Sequence, residues 1–479
     1  MKKEGFVFNN YVELPKDDQP KFLGIFTKDK TFYKTFFPLL LIIALQQLAA
    51  LTVNLVDNMM LGRYTELALN GATLVNQLQF MLQQIISYLG IALVVLASQY
   101  WGQKRLEPIK KIISLGLKIG FGIGVIFFVV TLLLPSQVLG IFTNDAAVIE
   151  EGVKYLRIMC WTYLIFAASN TLMFAMQSVE TAFIGTVMSC STICINLCLN
   201  SILIYGNLGA PELGIRGAAI ATLVSRTVEL VIILVYILFI DKKLRMKLHD
   251  ILQMNFEYLK DFVKVATPVV ISGCLWGVAQ AAQTVILGHI SSSVLAANSI
   301  AIVIFQLFVV FGFANANVAS IMMGKTIGEG KLHLVKTYTK TMQGLFILIG
   351  IASAILMFAL KDVIVGFYSV SPEAREYAVS FIIILAVTSI GSCYEYPVES
   401  GIIAGGGTTK YAPLVDNLFM WLFTIPFSAL SAFVFHFPPV VTFCVLKADQ
   451  FLKCIPNSIN VNRYKWVKIL TRDDESPAP

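Results

Sequence analysis

Charge is what this sequence has least of. Asp, Glu, Lys and Arg together make up 14% of its 479 residues, against roughly 25% in a typical soluble domain. A soluble chain of this length would have to coat two or three domains in Leu, Ile, Val and Phe, a surface that precipitates. An ordinary cytosolic enzyme is excluded. Cysteine pairing is lacking too: no C-x-x-C occurs, and Cys160, Cys190, Cys194, Cys198, Cys274, Cys393 and Cys444 fall in apolar runs, as small core residues do. No H-E-x-x-H, G-x-S-x-G or aspartate-rich motif lies at the mouth of an apolar run. The triple glycine Gly405 to Gly407 lacks the Gly-Lys-Ser/Thr ending of a phosphate loop, and "GFGIG" (Gly120 to Gly124) sits inside an apolar run as a small-residue stripe. ATP hydrolysis and intramembrane proteolysis lose their motif support. The expectation is no enzyme, no cofactor and no metal centre.

Long apolar stretches are present in abundance. Hydrophobic types make up 57% of the chain, and runs such as Phe36 to Val56 and Ile112 to Leu134 continue for twenty residues or more. About 20 apolar residues cross the hydrocarbon as a helix, whereas a membrane barrel would alternate apolar and polar residues. Twelve such runs are predicted, the last (near 438 to 459) being the weakest because Lys447 and Asp449 interrupt it and Pro456 follows. It could instead be a short or partly interfacial helix. The first 34 residues are polar and of mixed charge, so no cleavable signal peptide is expected.

Lys and Arg are retained on the cytoplasmic side of a membrane. With the N-terminus inside, the inside segments hold twenty-seven of them and the outside loops five: Arg63, Lys154, Arg216, Lys361 and Arg375. Both termini are therefore predicted to be cytoplasmic, in the inner (plasma) membrane, and the net charge of +7 follows from topology without a nucleic-acid partner.

The two halves repeat each other. "VDNMMLGRY" with Gly62 returns as "QTVILGHI" with Gly288, "ASQYWG" as "ASIMMG", and "VLGIF" as "VIVGFY", at separations near 226 residues. Six spans per copy make the copies parallel, related by an axis along the membrane normal. The predicted fold is an all-α polytopic membrane protein of twelve transmembrane helices in two pseudo-symmetric six-helix lobes. Its parts are a cytoplasmic arm (1–34), an N-terminal lobe (35–240), a cytoplasmic linker (241–262), a C-terminal lobe (263–459) and a cytoplasmic tail (460–479).

Pro38 leading into "VDNMMLG" (Asp57 to Gly62), the block "NLGAPELGIRGAAIATLVSRTVE" (Asn207 to Glu229), "LAAN" after the seventh span, "AGGGTTKYAPLVD" (Ala404 to Asp416) and the tail "RYKWVKILTRD" resemble the bacterial multidrug and toxic compound extrusion (MATE) transporters, over roughly residues 32 to 472. The resemblance implies a secondary antiporter. An amphiphilic, often cationic small molecule leaves while H⁺ or Na⁺ enters, by alternating access of the lobes, and a monomer in the bilayer is expected. It also places Asp57 where the family's first-span carboxylate takes part in cation coupling, and makes Asn196 and Asn200 candidates for the lobe interior. The chain departs from the pattern at Ala404 and Gly407, where the family commonly has Arg and Asp, and around Trp276 and Gly277, where some members carry an acid.

A charge at mid-membrane costs about 2.5–3.5 kcal/mol on insertion scales, so each acidic residue in a span needs a partner or a purpose. The cation-coupling candidates are Asp57, Glu229, Glu395 and Glu399. Arg226 and Glu229 lie i,i+3 and can neutralise each other. Glu395 and Glu399 lie i,i+4 about Pro397, near a kink, with Glu399 close to the cytoplasmic end and open to solvation there. The substrate-cleft candidates are Gln46, Asn196, Asn200, Arg226, Gln280 and Gln283. Gln46 precedes Asp57 by eleven residues, about three helical turns, and so shares its face. The rival readings are a lipid-linked oligosaccharide flippase, which would need more basic residues than Lys118, Arg157 and Arg226, and an integral-membrane transferase, which would need an acidic metal-binding loop.

Overall fold

The structure, a computed structural model, describes residues 26–471 apart from 144, 254, 255, 367, 369 and 370. Most of the expected N-terminal arm and the end of the expected tail, from 472 on, lie outside the described residues.

The chain is helical almost throughout. Its helices are α1 (Lys30–Tyr64), α2 (Glu66–Gly102), α3 (Leu106–Leu133), α4 (Pro135–Gly140), α5 (Ala146–Ser178), α6 (Phe183–Tyr205), α7 (Ile215–Val235), α8 (Leu248–Leu252), α9 (Leu259–Ile290), α10 (Ser292–Gly328), α11 (Leu332–Gly366) and α12 (Pro372–Tyr396). A π-helical stretch, Pro397–Ile403, extends α12; α13 (Tyr411–Phe419) and α14 (Ile425–Phe433) flank another, Met420–Thr424. The last segments are α15 (Pro439–Lys447), α16 (Asp449–Leu452) and α17 (Cys454–Arg463).

Among the described residues, eleven helical segments are long and apolar enough to cross a membrane. The twelfth is the run the charges made ambiguous. Ala448 and Lys453, which separate its three pieces, keep right-handed helical angles, so the chain winds continuously from Pro439 to Arg463. At 1.5 Å per residue such a run reaches about 35 Å, enough for the hydrocarbon. The protein is thus an all-α polytopic membrane protein with the twelve-helix, two-lobe fold. Large apolar side chains stand on its outside, among them Ile126, Phe183, Ile355 and Leu422, which suits lipid as solvent and not water.

Helix starts follow local chemistry. The Asp145 carboxylate accepts from Ala147 N and Val148 N at the start of α5, and Ser371, followed by Pro372, accepts from Ala374 N at the start of α12. Both satisfy amides that have no partner in the first turn.

The chain forms two compact units. One comprises Leu45–Ala97 and Leu106–Val263; the other comprises Met1–Ala44, Ser98–Arg105 and Lys264–Pro479. The first has its core in Leu61, Val75, Leu82, Tyr155, Met159, Phe166 and Ile204. The second centres on Ile304, Met357, Leu385, Phe381 and Phe443, with the last two rings stacked 3.9 Å apart.

In the second unit the tail is strapped to the loop that departs from the family pattern. Trp466 is buried against Gly406, where a Cβ would collide with the indole. Thr408 Oγ1 donates to Trp466 O (2.8 Å) and Lys468 N donates to Gly406 O (2.8 Å). Gln99 takes the other edge of the strap, accepting from Leu470 N (2.7 Å) and donating to Lys468 O (3.1 Å). Gly406 leaves room for the indole, while Gly405 packs against Ser320 and Gly407 against Lys468 and Leu470.

Candidate functional site

In the unit formed by Leu45–Ala97 and Leu106–Val263, a line of polar side chains crosses three helices. Asp57, near the end of α1, is 8% exposed. Asn196 and Asn200 lie one turn apart on α6 and so share a face. Asn200 Nδ2 donates to Asp57 Oδ1 (2.5 Å) and to Asn196 Oδ1 (2.9 Å), and Asn196 Nδ2 donates to Thr222 Oγ1 on α7 (3.3 Å). An amide nitrogen has two hydrogens, so those of Asn200 are both committed. Its Oδ1 is buried without a partner, an acceptor facing no donor, which costs roughly 1–3 kcal/mol unless a proton or water supplies one.

Arg226 and Glu229 extend the line along α7. Arg226 Nη1 meets Glu229 Oε2 at 2.8 Å, Thr192 Oγ1 on α6 donates to the same oxygen (3.3 Å), and the guanidinium lies 5.1 Å from the Phe166 ring centre, within cation-π reach. Five of the candidates, Asp57, Asn196, Asn200, Arg226 and Glu229, therefore fall in one α1–α6–α7 region.

Gln46 also faces α6 but at its other end. Its Nε2 donates to Ala182 O (2.5 Å), its Oε1 accepts from Gln177 Nε2 (3.1 Å), and its amide fills the space where Gly185 has no Cβ. The shared face predicted for Gln46 and Asp57 is present, yet the two belong to separate hydrogen-bonded knots.

The remaining candidates lie in the second unit. Gln280 is half-buried on α9, while Gln283, one turn on, is buried and accepts from Lys447 Nζ (3.0 Å). Glu395 and Glu399 are both buried. For Glu399 this corrects the expectation of solvation near the cytoplasmic end: it lies in the π-helical stretch Pro397–Ile403 with no exposed surface. π-Helical turns are frequent at functional sites.

Around these two glutamates stand residues that the sequence reading passed over. Lys453 Nζ contacts Asp416 Oδ1 (2.8 Å), Glu395 Oε1 (3.4 Å) and Asp449 Oδ2 (3.4 Å). Asn457 Nδ2 donates to Glu399 Oε2 (3.0 Å). One oxygen each from Glu395, Glu399 and Asp416 lie within 4.8 Å of one another, a grouping that suits a metal ion. The signal available in the sequence was the spacing of Asp449, Lys453 and Asn457, one every fourth residue, which puts three polar groups on one helical face. Lys453 instead was counted as a cytoplasmic positive charge. Thr192, Thr222 and Gln177, the partners in the first unit, carry no charge and gave no signal.

The MatE family model matches residues 43–202 and 268–430. The chain belongs to the MatE family. Family membership makes it a membrane transporter and not an enzyme. Curated MATE relatives include the probable multidrug resistance protein NorM of Listeria monocytogenes, 22% identical over 398 residues covering 82% of this chain and 86% of the relative. Another is the uncharacterized transporter YisQ of Bacillus subtilis, 21% identical over 83% of this chain and 87% of the relative. Among solved structures, the Vibrio cholerae MATE transporter VcmN in its bent form superposes with a TM-score of 0.80 at 17% identity, covering 91% of this chain and 99% of that one. A MOP superfamily transporter from Pyrococcus furiosus gives 0.81 at 16% identity, covering 92% and 99%. At such identities the structural likeness speaks for the MATE fold alone.

Proposed function

We propose that this MATE transporter is a secondary antiporter exporting amphiphilic, cationic drugs or toxic compounds in exchange for H⁺ or Na⁺ by alternating access. The observation that carries the reading is Asp57, a buried carboxylate tied through Asn200 and Asn196 to Thr222, so that a change of charge on one helix is felt by two others. The names of the NorM relatives support drugs as the exported class. On this reading Asp57 loads the coupling cation from outside, with Glu229, Glu395 and Glu399 as auxiliary cation-coupling groups. The hydrogen bonds of Asn200 rearrange when that cation arrives, and the lobe repacks to release cargo held near Asn196, Asn200 and Arg226. A ligand drives such a switch only through different affinity for the two states, and one elementary charge crossing 100 mV supplies about 2.3 kcal/mol. Gln46, Gln280 and Gln283 are assigned to the substrate cleft as further polar groups.

The transporter works as a monomer in the inner membrane with both termini cytoplasmic, residues 35–240 and 263–459 acting as lobes joined by the linker 241–262. The flippase alternative needs free basic side chains to hold a pyrophosphate. Arg226 is neutralised by Glu229, and Lys118 donates to Gln253 O and Ser114 Oγ, so two of its three basic candidates are engaged elsewhere.

The test is export of a fluorescent cationic dye from proteoliposomes under an imposed pH gradient or an imposed sodium gradient. One gradient is expected to drive export, and Asp57→Asn is expected to abolish it while the protein still reconstitutes. Undiminished export by Asp57→Asn would refute the assignment.

A further inference from the structure

We propose that a groove on the lipid-facing side of the second unit, between α11, α12 and α17, is a binding site for an anionic phospholipid, with an acyl chain lying in the groove and the phosphate held by Lys340 and Arg463. The inference does not depend on the antiport reading. The groove has a volume of about 680 Å³ and is walled by Ile347, Ile390, Phe451, Ile455 and Ile459, a size inside the roughly 300–1,000 Å³ usual for ligand sites. Ile347 is 41% exposed, Phe451 42%, Ile459 49% and Ile455 63%, so the mouth opens where lipid is the solvent. An apolar hollow there is filled by hydrocarbon, because an empty one forfeits the dispersion contacts of its lining.

The polar groups lie at one end. Gln343 Oε1 accepts from the Tyr394 hydroxyl (2.8 Å) and from Asn462 Nδ2 (3.4 Å), which seats α11 beside α17, and Ser458 adds a hydroxyl to the same lining. Two spans, α12 and α13–α14, separate α11 from the run Pro439–Arg463. The two therefore cross the membrane in opposite senses, and the start of α11 shares a face with the end of α17. On α11, Lys340, Gln343 and Ile347 stand at i, i+3 and i+7; on α17, Ile455, Ile459 and Asn462 stand at i, i+4 and i+7, with Arg463 next. Each set forms one stripe. Read from mid-membrane toward that face, both stripes run apolar, amide, cation over about 10–12 Å, which is the order of acyl chain, ester and phosphate in a phospholipid. Lys340 is half-buried and Arg463 exposed, and neither has an ion pair among the described residues. Basic side chains between spans at headgroup depth bind anionic lipid heads, and a guanidinium meets phosphate through two parallel hydrogen bonds. The same two cations repel a cationic cargo, which sets the groove apart from the proposed drug cleft.

The site is tested by native mass spectrometry of the full-length purified protein in detergent, titrated with phosphatidylglycerol or with phosphatidylcholine of the same chains. Wild type is expected to retain its first phosphatidylglycerol at a concentration roughly tenfold or more below that needed for phosphatidylcholine, the worth of two basic groups at a membrane surface. Lys340→Gln/Arg463→Gln is expected to remove that preference, and Ile455→Trp, which fills the groove, to weaken retention severalfold. Lys242→Gln/Arg245→Gln makes the same charge change at exposed residues of the other unit and is expected to leave retention unchanged. Gel filtration identifies any variant that has failed to fold. Equal retention of the two lipids by wild-type protein overturns the proposal whichever variants fold. An equal loss in both double variants overturns it too, the attraction then being general to basic residues. Displacement of the lipid by the cationic dye would assign the groove to cargo and sink the proposal as well, whereas dye export that survives Asp57→Asn bears only on the antiport reading.

Discussion

A single residue in this protein matters through what surrounds it, and the two acidic neighbourhoods illustrate opposite cases. Arg226 and Glu229 were paired from their spacing alone, because an i,i+3 contact is fixed by helix geometry, and the ion pair forms at 2.8 Å. Glu399 is a cation-coupling candidate for which solvation at the helix end stays an open alternative in the sequence, because nothing local says that Asn457, some sixty residues away in the chain, closes over it. Gly406 makes the same point for a residue without a side chain. In the sequence it is part of a triple glycine without a phosphate-loop ending, whereas in the structure it is the floor under the Trp466 indole. Gly406→Ala is expected to destabilise the protein by about 1–3 kcal/mol, the range for overpacking a close contact. The check is a thermal melt in detergent, in which a midpoint equal to wild type would contradict the packing described.

At the level of the helix, local sequence does most of the work. Apolar run length fixed eleven spans, and caps such as Asp145 and Ser371 fix where helices begin. Asp145→Ala removes the acceptor for two amides of α5 and is expected to cost about 0.5–2 kcal/mol of stability, with dye export unchanged; loss of export without loss of stability would give Asp145 a role other than capping. The run from Pro439 to Arg463 is where run length was a poor guide. Its charges and Pro456 argue against a span, and two of the charges are accommodated because Lys453 pairs with both Asp449 and Glu395. A charge count taken from sequence treats such residues as solvated.

On the scale of the whole molecule, the duplicated pattern and the excess of basic residues in alternate loops make one topology favourable. Leu208, in the turn after α6, is fully open at 91% exposed, and Lys331 lies in the turn between α10 and α11. In a background with the native cysteines replaced, Leu208→Cys is expected to react with a membrane-impermeant thiol reagent on intact cells, and Lys331→Cys only after permeabilisation. The reverse pattern would invert the topology and with it the direction of transport.

What the sequence determined by itself was everything set by composition and short-range periodicity. Too little charge for water, runs long enough for lipid, a repeat and the Asp57 to Gly62 and Asn207 to Glu229 blocks were enough for the membrane class, the helix inventory and the MATE family. Only the tertiary structure decided which polar groups meet. It joined Asp57 to Asn200 across 143 positions, set Gln46 in a knot of its own, and gathered Asp416, Asp449, Lys453 and Asn457 around Glu395 and Glu399. The physical reason is that a buried polar group is stabilised by its partners, and in a helical membrane protein those partners come from other helices, at separations on which local propensity has no bearing.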